Sequence, residues 1–181
     1  MTIKEPQLVA IDHIFKALRL ASWNHREQTR KSDGTPYINH LIETADLLVN
    51  IGQTINEDVI VAAILHDILE DTELTISSLL GEYNPYTIYI LLMLTEDKSC
   101  TLEERRQDTL RKVRNADDDE IKKIKLADLC SNVAYPPKGW SEKQLSEYFS
   151  YTDQLALMCK DASYSLFSEY SLRRRYKNSD D

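Results

Sequence analysis

Chain-breaking residues are scarce: four glycines and five prolines punctuate all 181 positions. The long stretches between them carry apolar residues three and four positions apart, which is the repeat of a helix face and not the alternation of a strand. The chain is therefore expected to be all-α. Its length suits one compact domain with a sizeable core and is short for two, so residues 1–181 are expected to form a single domain, with a core over about 6–170 and a polar C-terminal tail.

Ile11, Ile14, Phe15, Leu18 and Ala21 form an apolar stripe that predicts a first helix from about Pro6 to Gln28. Turn formers fill Arg30 to Pro36, and Ile38, Leu41, Ile42, Ala45 and Leu48 then mark a second helix with His40 in its first turn. From Glu57 to Leu69 the sequence is apolar on nearly all sides, as a central helix would be, and it ends in His66-Asp67-Ile68-Leu69-Glu70-Asp71. Thr75 is placed to cap a short helix ending near Gly81, and Asn84 with Pro85 to open one reaching Leu94. Capping boxes at Thr101/Glu104 and Ser141/Gln144 predict two more starts, and Asp117 to Asp119 suit the positive end of the helix that carries Asp128. The helix opened by Ser141 is expected to run through Tyr148, Leu155 and Met158 towards Leu166.

The formal net charge of -8 argues against a nucleic-acid binder, which needs a cationic face for phosphate backbones. A small anionic substrate remains compatible with it if a local basic pocket exists, and Arg30 and Lys31 are the residues for one. Met1 to Leu20 has charges throughout and no continuous apolar run, so no signal peptide or membrane span is expected and the protein is read as cytoplasmic. Cys100, Cys130 and Cys159 are odd in number and far apart, and are read as reduced packing residues.

The sharpest chemical feature is His66-Asp67, an imidazole and a carboxylate at the end of a helix built for burial. A desolvated carboxylate needs compensation, and a divalent cation supplies more charge than any side chain; the plainer alternative is a helix end where both groups face water. His66 and Glu70 are four apart, as are Asp67 and Asp71, so a continuous helix would put two further carboxylates one turn beyond two potential ligands. Asp128 and Asn132 repeat that spacing on a helix whose Ile121, Ile124 and Val133 are expected to be buried. Two imidazoles with two carboxylates suit Mn(II), Fe(II) or Zn(II) better than Ca(II) or a thiolate-preferring ion. Glu70 or Asp71 is then the group to accept a proton from an attacking water.

Several motifs in order carry a resemblance: His25-Arg26, Gly34-Thr35-Pro36-Tyr37-Ile38-Asn39-His40, His66 to Thr72, Thr95-Glu96-Asp97-Lys98, Lys125-Leu126-Ala127-Asp128 with Asn132, Gly139-Trp140-Ser141 and Glu147-Tyr148-Phe149. On these the chain resembles the HD-domain superfamily, and within it the small alarmone hydrolases related to the hydrolase domain of RelA/SpoT proteins, of the metazoan SpoT homologue type. The resemblance implies a helical bundle that binds one Mn2+ and removes the 3′-pyrophosphate from guanosine tetra- or pentaphosphate, giving GDP or GTP and pyrophosphate. It implies His40, His66, Asp67 and Asp128 as metal ligands, Glu70 and Asp71 as the pair organising the attacking water, and Asn132 as a nucleotide contact. Arg30 and Lys31 fall in the loop that lies along the nucleotide. Tyr37 and Tyr148 would line the pocket and Lys98 would meet a phosphate. His25 is not a ligand in that family, and packing or support of the active-site loop is its expected job. His13 has no motif around it and is read as a surface residue.

Two departures stand out: Leu41 where the family usually has proline, which should matter little, and Leu129 where it usually has a basic residue, which should remove a charge near the site. Other substrates for the same metal site stay open, namely adenosine alarmones, NADPH or a deoxynucleotide monophosphate, as does a nucleotide sensor that does no chemistry. A following synthetase domain is not expected in a chain ending at Asp181, so the resemblance implies a stand-alone remover of the signal. Arg173-Arg174-Arg175 is read as a solvated helix end.

Overall fold

The computed structural model describes residues 5–176, and the expected polar tail beyond them lies outside that range. Ten α-helices occur among the described residues, with isolated bridges but no strands. They are α1 Glu5–Asn24, α2 Ile38–Asn50, α3 Glu57–Leu65, α4 Ile68–Asp71, α5 Ile76–Leu79, α6 Pro85–Leu94, α7 Leu102–Asn115, α8 Asp119–Ala134, α9 Glu142–Cys159 and α10 Tyr164–Tyr176. None is long and apolar enough to cross a membrane.

Two helices make the centre. α3 packs against α1, α2 and α6, and α8 against α2, α9 and α10. Their apolar residues are accordingly hidden: Val59, Ala62, Ala63 and Leu65 on α3 and Ile124, Leu126, Ala127 and Val133 on α8 are all fully buried. The starts follow local chemistry. Asn56 and Asn84 accept hydrogen bonds from the amides of Asp58 and Tyr86, Asp118 accepts from Glu120, and both predicted capping boxes, Thr101/Glu104 and Ser141/Gln144, are closed in both directions.

Three predicted helices end differently. α1 stops at Asn24, and Ala17 and Ala21 form its buried stripe, while Ile11 and Phe15 are exposed. The central helix does not continue to Leu69: His66 and Asp67 interrupt it, Asp67 sits at φ -98° and ψ 1° between the α and β regions, and Ile68 begins a new turn. The spacing of four from His66 to Glu70 therefore spans a joint instead of one helix face. The predicted long last helix breaks at Cys159, passes through a 3-10 turn at Lys160–Ala162 and restarts after Ser163, whose hydroxyl accepts from the Leu166 amide.

That break folds α10 back onto α8, burying Leu166 and Tyr170. Gly52, after α2, leaves no room for a side chain beside α10: a methyl group there would lie 2.6 Å from the Leu48 carbonyl oxygen and 3.0 Å from Leu166. Arg173 is not solvated as expected but pairs with Glu43 of α2 at 2.5 Å and Glu169 at 2.7 Å. Arg174 stacks its guanidinium 3.7 Å over the Phe149 ring, and the side chain of Arg175 lies outside the described part. All three cysteines are free; Cys130 and Cys159 are buried as packing residues, whereas Cys100 is exposed.

Candidate metal centre and adjoining cleft

Three core elements bring His40, His66 and Asp128 together: the first turn of α2, the end of α3 and the middle of α8. One potential ligand atom from each lies within 4.8 Å of the others, and the residues are 2%, 3% and 7% exposed. Asp67 completes the group, its Oδ2 3.1 Å from His66 Nε2 and 3.7 Å from His40 Nε2. Asp128 Oδ1 lies 3.4 Å from His40 Nε2 and 3.7 Å from His66 Nε2.

The donor set fits a cation. His66 Nδ1 is 2.8 Å from the Ala63 carbonyl, which only accepts, so that nitrogen carries a proton and Nε2 is the atom left to take a metal or a second proton. This Nε2 is buried without a hydrogen-bond partner, and it faces two carboxylates. A lone pair and two anions turned inward on one another repel unless positive charge lies between them. Burial pushes the Asp128 carboxyl up, but Lys125, His40 and His66 outweigh it and hold it well below the usual carboxylate range. Burial likewise opposes charge on His66, and the Asp67 and Asp128 carboxylates override it and raise the imidazole well above its ordinary value. The two directions are complementary: cations surround the Asp128 carboxylate, and carboxylates surround the His66 ring.

Neighbours hold these side chains in place. Tyr37 donates a 2.6 Å hydrogen bond to Asp67 Oδ2, Asn132 donates one of 2.6 Å to Asp128 Oδ1, and Lys125 Nζ is 3.1 Å from Asp128 Oδ2. Tyr37 is itself stacked on the buried His25, whose Nδ1 bonds Gln28 at 2.8 Å. His13, part-exposed, pairs with Glu57 far from this cluster.

A cleft of about 660 Å³ opens beside the cluster, lined by Arg30, Lys31, Tyr37, Glu70, Asp71, Lys98, Asn132 and Tyr148 among others. Every residue expected to touch substrate therefore borders one cavity. The loop that supplies Arg30 and Lys31 is a tight turn: the Arg30 amide donates to the Thr35 carbonyl at 2.8 Å, Asp33 Oδ1 accepts from the Thr35 amide and hydroxyl, and Gly34 takes the φ of 79° that glycine adopts without strain. Arg30 reaches back to the Ser131 carbonyl at 3.3 Å and Asn132 Oδ1 at 3.4 Å. Glu70 has its carboxyl pushed up to about 7, by burial first and then by the charges of Asp67 and Glu96. Lys98 pairs with Asp71 and lies 3.7 Å from Glu70, so it faces the acids as well as the cleft.

Residues 17–135 match the profile of the HD domain, which spans well over half of the chain. The chain belongs to the HD-domain family. Among curated relatives, guanosine-3′,5′-bis(diphosphate) 3′-pyrophosphohydrolase MESH1 of Danio rerio is 33% identical over 147 residues, covering 78% of this chain and 81% of the relative. The Homo sapiens protein of the same name is 32% identical, covering 78% and 82%. A solved structure described as a metazoan orthologue of SpoT that hydrolyses ppGpp superimposes with a TM-score of 0.84 at 26% identity, over 91% of this chain and 95% of that one.

Within this HD domain, Leu41 and Leu129 are both core residues, at 0% and 4% exposure. Leu129 is not among the residues that line the cleft. Arg105 and Trp140 line the cleft and had no role assigned from sequence. Trp140 meets Tyr148 edge-on at 5.3 Å, and its place in a quoted motif was the available signal. For Arg105, one turn into α7 and 3.5 Å from Glu96, nothing in the local pattern distinguishes it from its exposed neighbours.

Proposed function

We propose that this HD domain is a Mn(II)-dependent hydrolase that removes the 3′-pyrophosphate from guanosine 3′,5′-bis(diphosphate) and its pentaphosphate, giving GDP or GTP plus pyrophosphate. The observation that carries the reading is the buried, unpartnered Nε2 of His66 facing Asp67 and Asp128, with Glu70 and Asp71 just past the joint at the wall of a cleft with cationic residues. The names of relatives similar over more than three quarters of both chains supply the substrate class.

In this reading His40, His66, Asp67 and Asp128 hold the metal; their mixed nitrogen and oxygen donors suit Mn(II), Fe(II) or Zn(II), and Mn(II) is the ion the family resemblance implies. A divalent cation held there supplies charge that polarises a phosphoryl oxygen and makes the attacking water more acidic. Glu70, with a carboxyl near neutrality, takes the proton of that water, and Asp71 orients it with Lys98 as its partner. The water oxygen joins the phosphorus nearest the ribose, the bond from that phosphorus to the 3′ oxygen breaks, and the 3′ oxygen leaves with a proton. Arg30, Lys31 and Lys98 meet phosphates, Tyr148 offers its ring to the base, Asn132 bonds the nucleotide, and Tyr37 acts from the cleft wall through Asp67. The reading places this action in the cytoplasm and in one domain.

The test is product analysis by ion-exchange chromatography after incubating metal-stripped protein, with and without Mn(II), against guanosine tetraphosphate, its adenosine counterpart and NADPH. GDP plus pyrophosphate, formed only with Mn(II), is the expected result. Turnover of another nucleotide alone would keep the site and replace the substrate; no turnover of any would overturn the enzyme reading.

A further inference from the structure

Behind His40 lies a chain of polar contacts that the proposed chemistry does not use. His40 Nδ1 is 2.8 Å from the Ser131 hydroxyl, which is fully buried and donates a 2.6 Å hydrogen bond to Glu43 Oε2. Glu43 Oε1 accepts from Arg173 Nη1 at 2.5 Å, and Arg173 Nε donates to Glu169 at 2.7 Å. The contacts thus cross from α2 through α8 to α10, joining residues 130 positions apart.

A serine hydroxyl has one proton. With that proton committed to a carboxylate, the oxygen meets His40 as an acceptor, so His40 Nδ1 must carry the ring proton and Nε2 the lone pair. Nε2 is the atom that faces Asp67 and Asp128. Arg30 Nη1, 3.4 Å away, is a second donor aimed at the same serine oxygen and favours the same arrangement. Burial raises the Glu43 carboxyl, but the Ser131 hydroxyl and the Arg173 guanidinium outweigh it and keep the group ionised. Without the carboxylate the serine proton can turn to Nδ1, and the ring proton then moves to Nε2, where it blocks a metal.

We propose that Glu43, Ser131 and Arg173 form a positioning relay that selects the metal-binding tautomer of His40 and ties the C-terminal helix to the metal centre. The relay rests on reading His40 as a ligand. It is also why α10 belongs to the site without touching it: its arginine holds the carboxylate that holds the serine.

Long-range ¹H–¹⁵N NMR of metal-free wild-type protein is the first arm. The His40 signal should be that of the Nδ1-protonated ring; an Nε2-protonated ring would overturn the proposal with no variant needed. In the second arm free Mn(II) is followed by electron paramagnetic resonance while it is titrated into wild type, Glu43→Ala, Ser131→Ala and the double variant, with folding checked by circular dichroism. Each single variant should bind Mn(II) roughly 10- to 100-fold more weakly, as supporting contacts to ligands do, and the double variant no more weakly than the worse single one. Folded single variants that bind like wild type, or losses that simply add, would overturn it. Wild type that binds no Mn(II) would instead defeat the metal reading, and the NMR arm would still decide the relay.

Discussion

The side chains of His40, His66 and Asp128 are 1%, 3% and 11% exposed and come from helices that build the core, whereas that of Lys98 at the cleft is 48% exposed and comes from a turn. The first group has little freedom: on the side away from the cluster His66 is bonded by Ala63, His40 by Ser131 and Asp128 by Lys125. The second group is held by long or solvent-screened contacts, such as the 3.3 to 3.4 Å bonds of Arg30. A centre that concentrates charge must be rigid and dry to keep its geometry, and a cleft that admits and releases a polyanion must not be. Removing a residue from the buried half should therefore cost more than removing one from the cleft.

The hardest break is His66→Ala. Mn(II) binding should be lost by metal titration, and turnover should fall by more than the roughly 100-fold that a supporting residue costs. Turnover within that range would mean the ligand set is wrong. Glu70→Gln comes next and separates the two halves. Its Mn(II) affinity should stay close to wild type while kcat falls by roughly 10²- to 10⁴-fold, the usual worth of a positioned proton acceptor. A parallel loss of metal would move Glu70 into the buried half.

Glu70 also makes a stability prediction for the metal-free protein. Its folded value of about 7 lies above its ordinary 4.5, so between those values the folded state keeps a proton that the unfolded state has released. Stability should fall as the pH rises through that window. Urea melts at the two ends should show metal-free wild type losing about 2 kcal/mol relative to Glu70→Gln, allowing for partial solvent access. A flat difference would show that Glu70 is not desolvated. The smallest effect is expected in the cleft: Arg30→Ala should raise KM roughly tenfold, about 1.4 kcal/mol, with kcat changed less. A larger fall in kcat would show that its contacts with Ser131 and Asn132 serve the metal centre.

Much of the helical layout was legible because caps and apolar faces are local. Thr101 with Glu104 and Ser141 with Gln144 announce helix starts within four residues, and the apolar run from Val59 to Leu65 can only be central. The joint at His66 and Asp67 was hidden because no glycine or proline marks it; the His66 side chain bonds the Ala63 carbonyl there and the backbone turns beside it. The start of α10 was missed because Ser163 caps it without a capping box. Phe15 belongs to the apolar stripe of α1 and is nevertheless exposed, because periodicity gives a face but not which flank of that face the neighbours cover.

Residue types and spacing by themselves determined the all-helical class and marked His66-Asp67, Asp128 and the cations of the loop before α2, since each depends on neighbours a few positions away, while His40 joined them only through the family resemblance. Only the tertiary structure decided that one cleft gathers Lys98, Arg105 and Trp140 with Arg30, and that Arg173 answers Glu43 behind His40. The physical reason is reach. A hydrogen bond or ion pair forms over about 3 Å, and which distant side chains come that close is set by how α2, α8 and α10 pack, which no short stretch of sequence specifies.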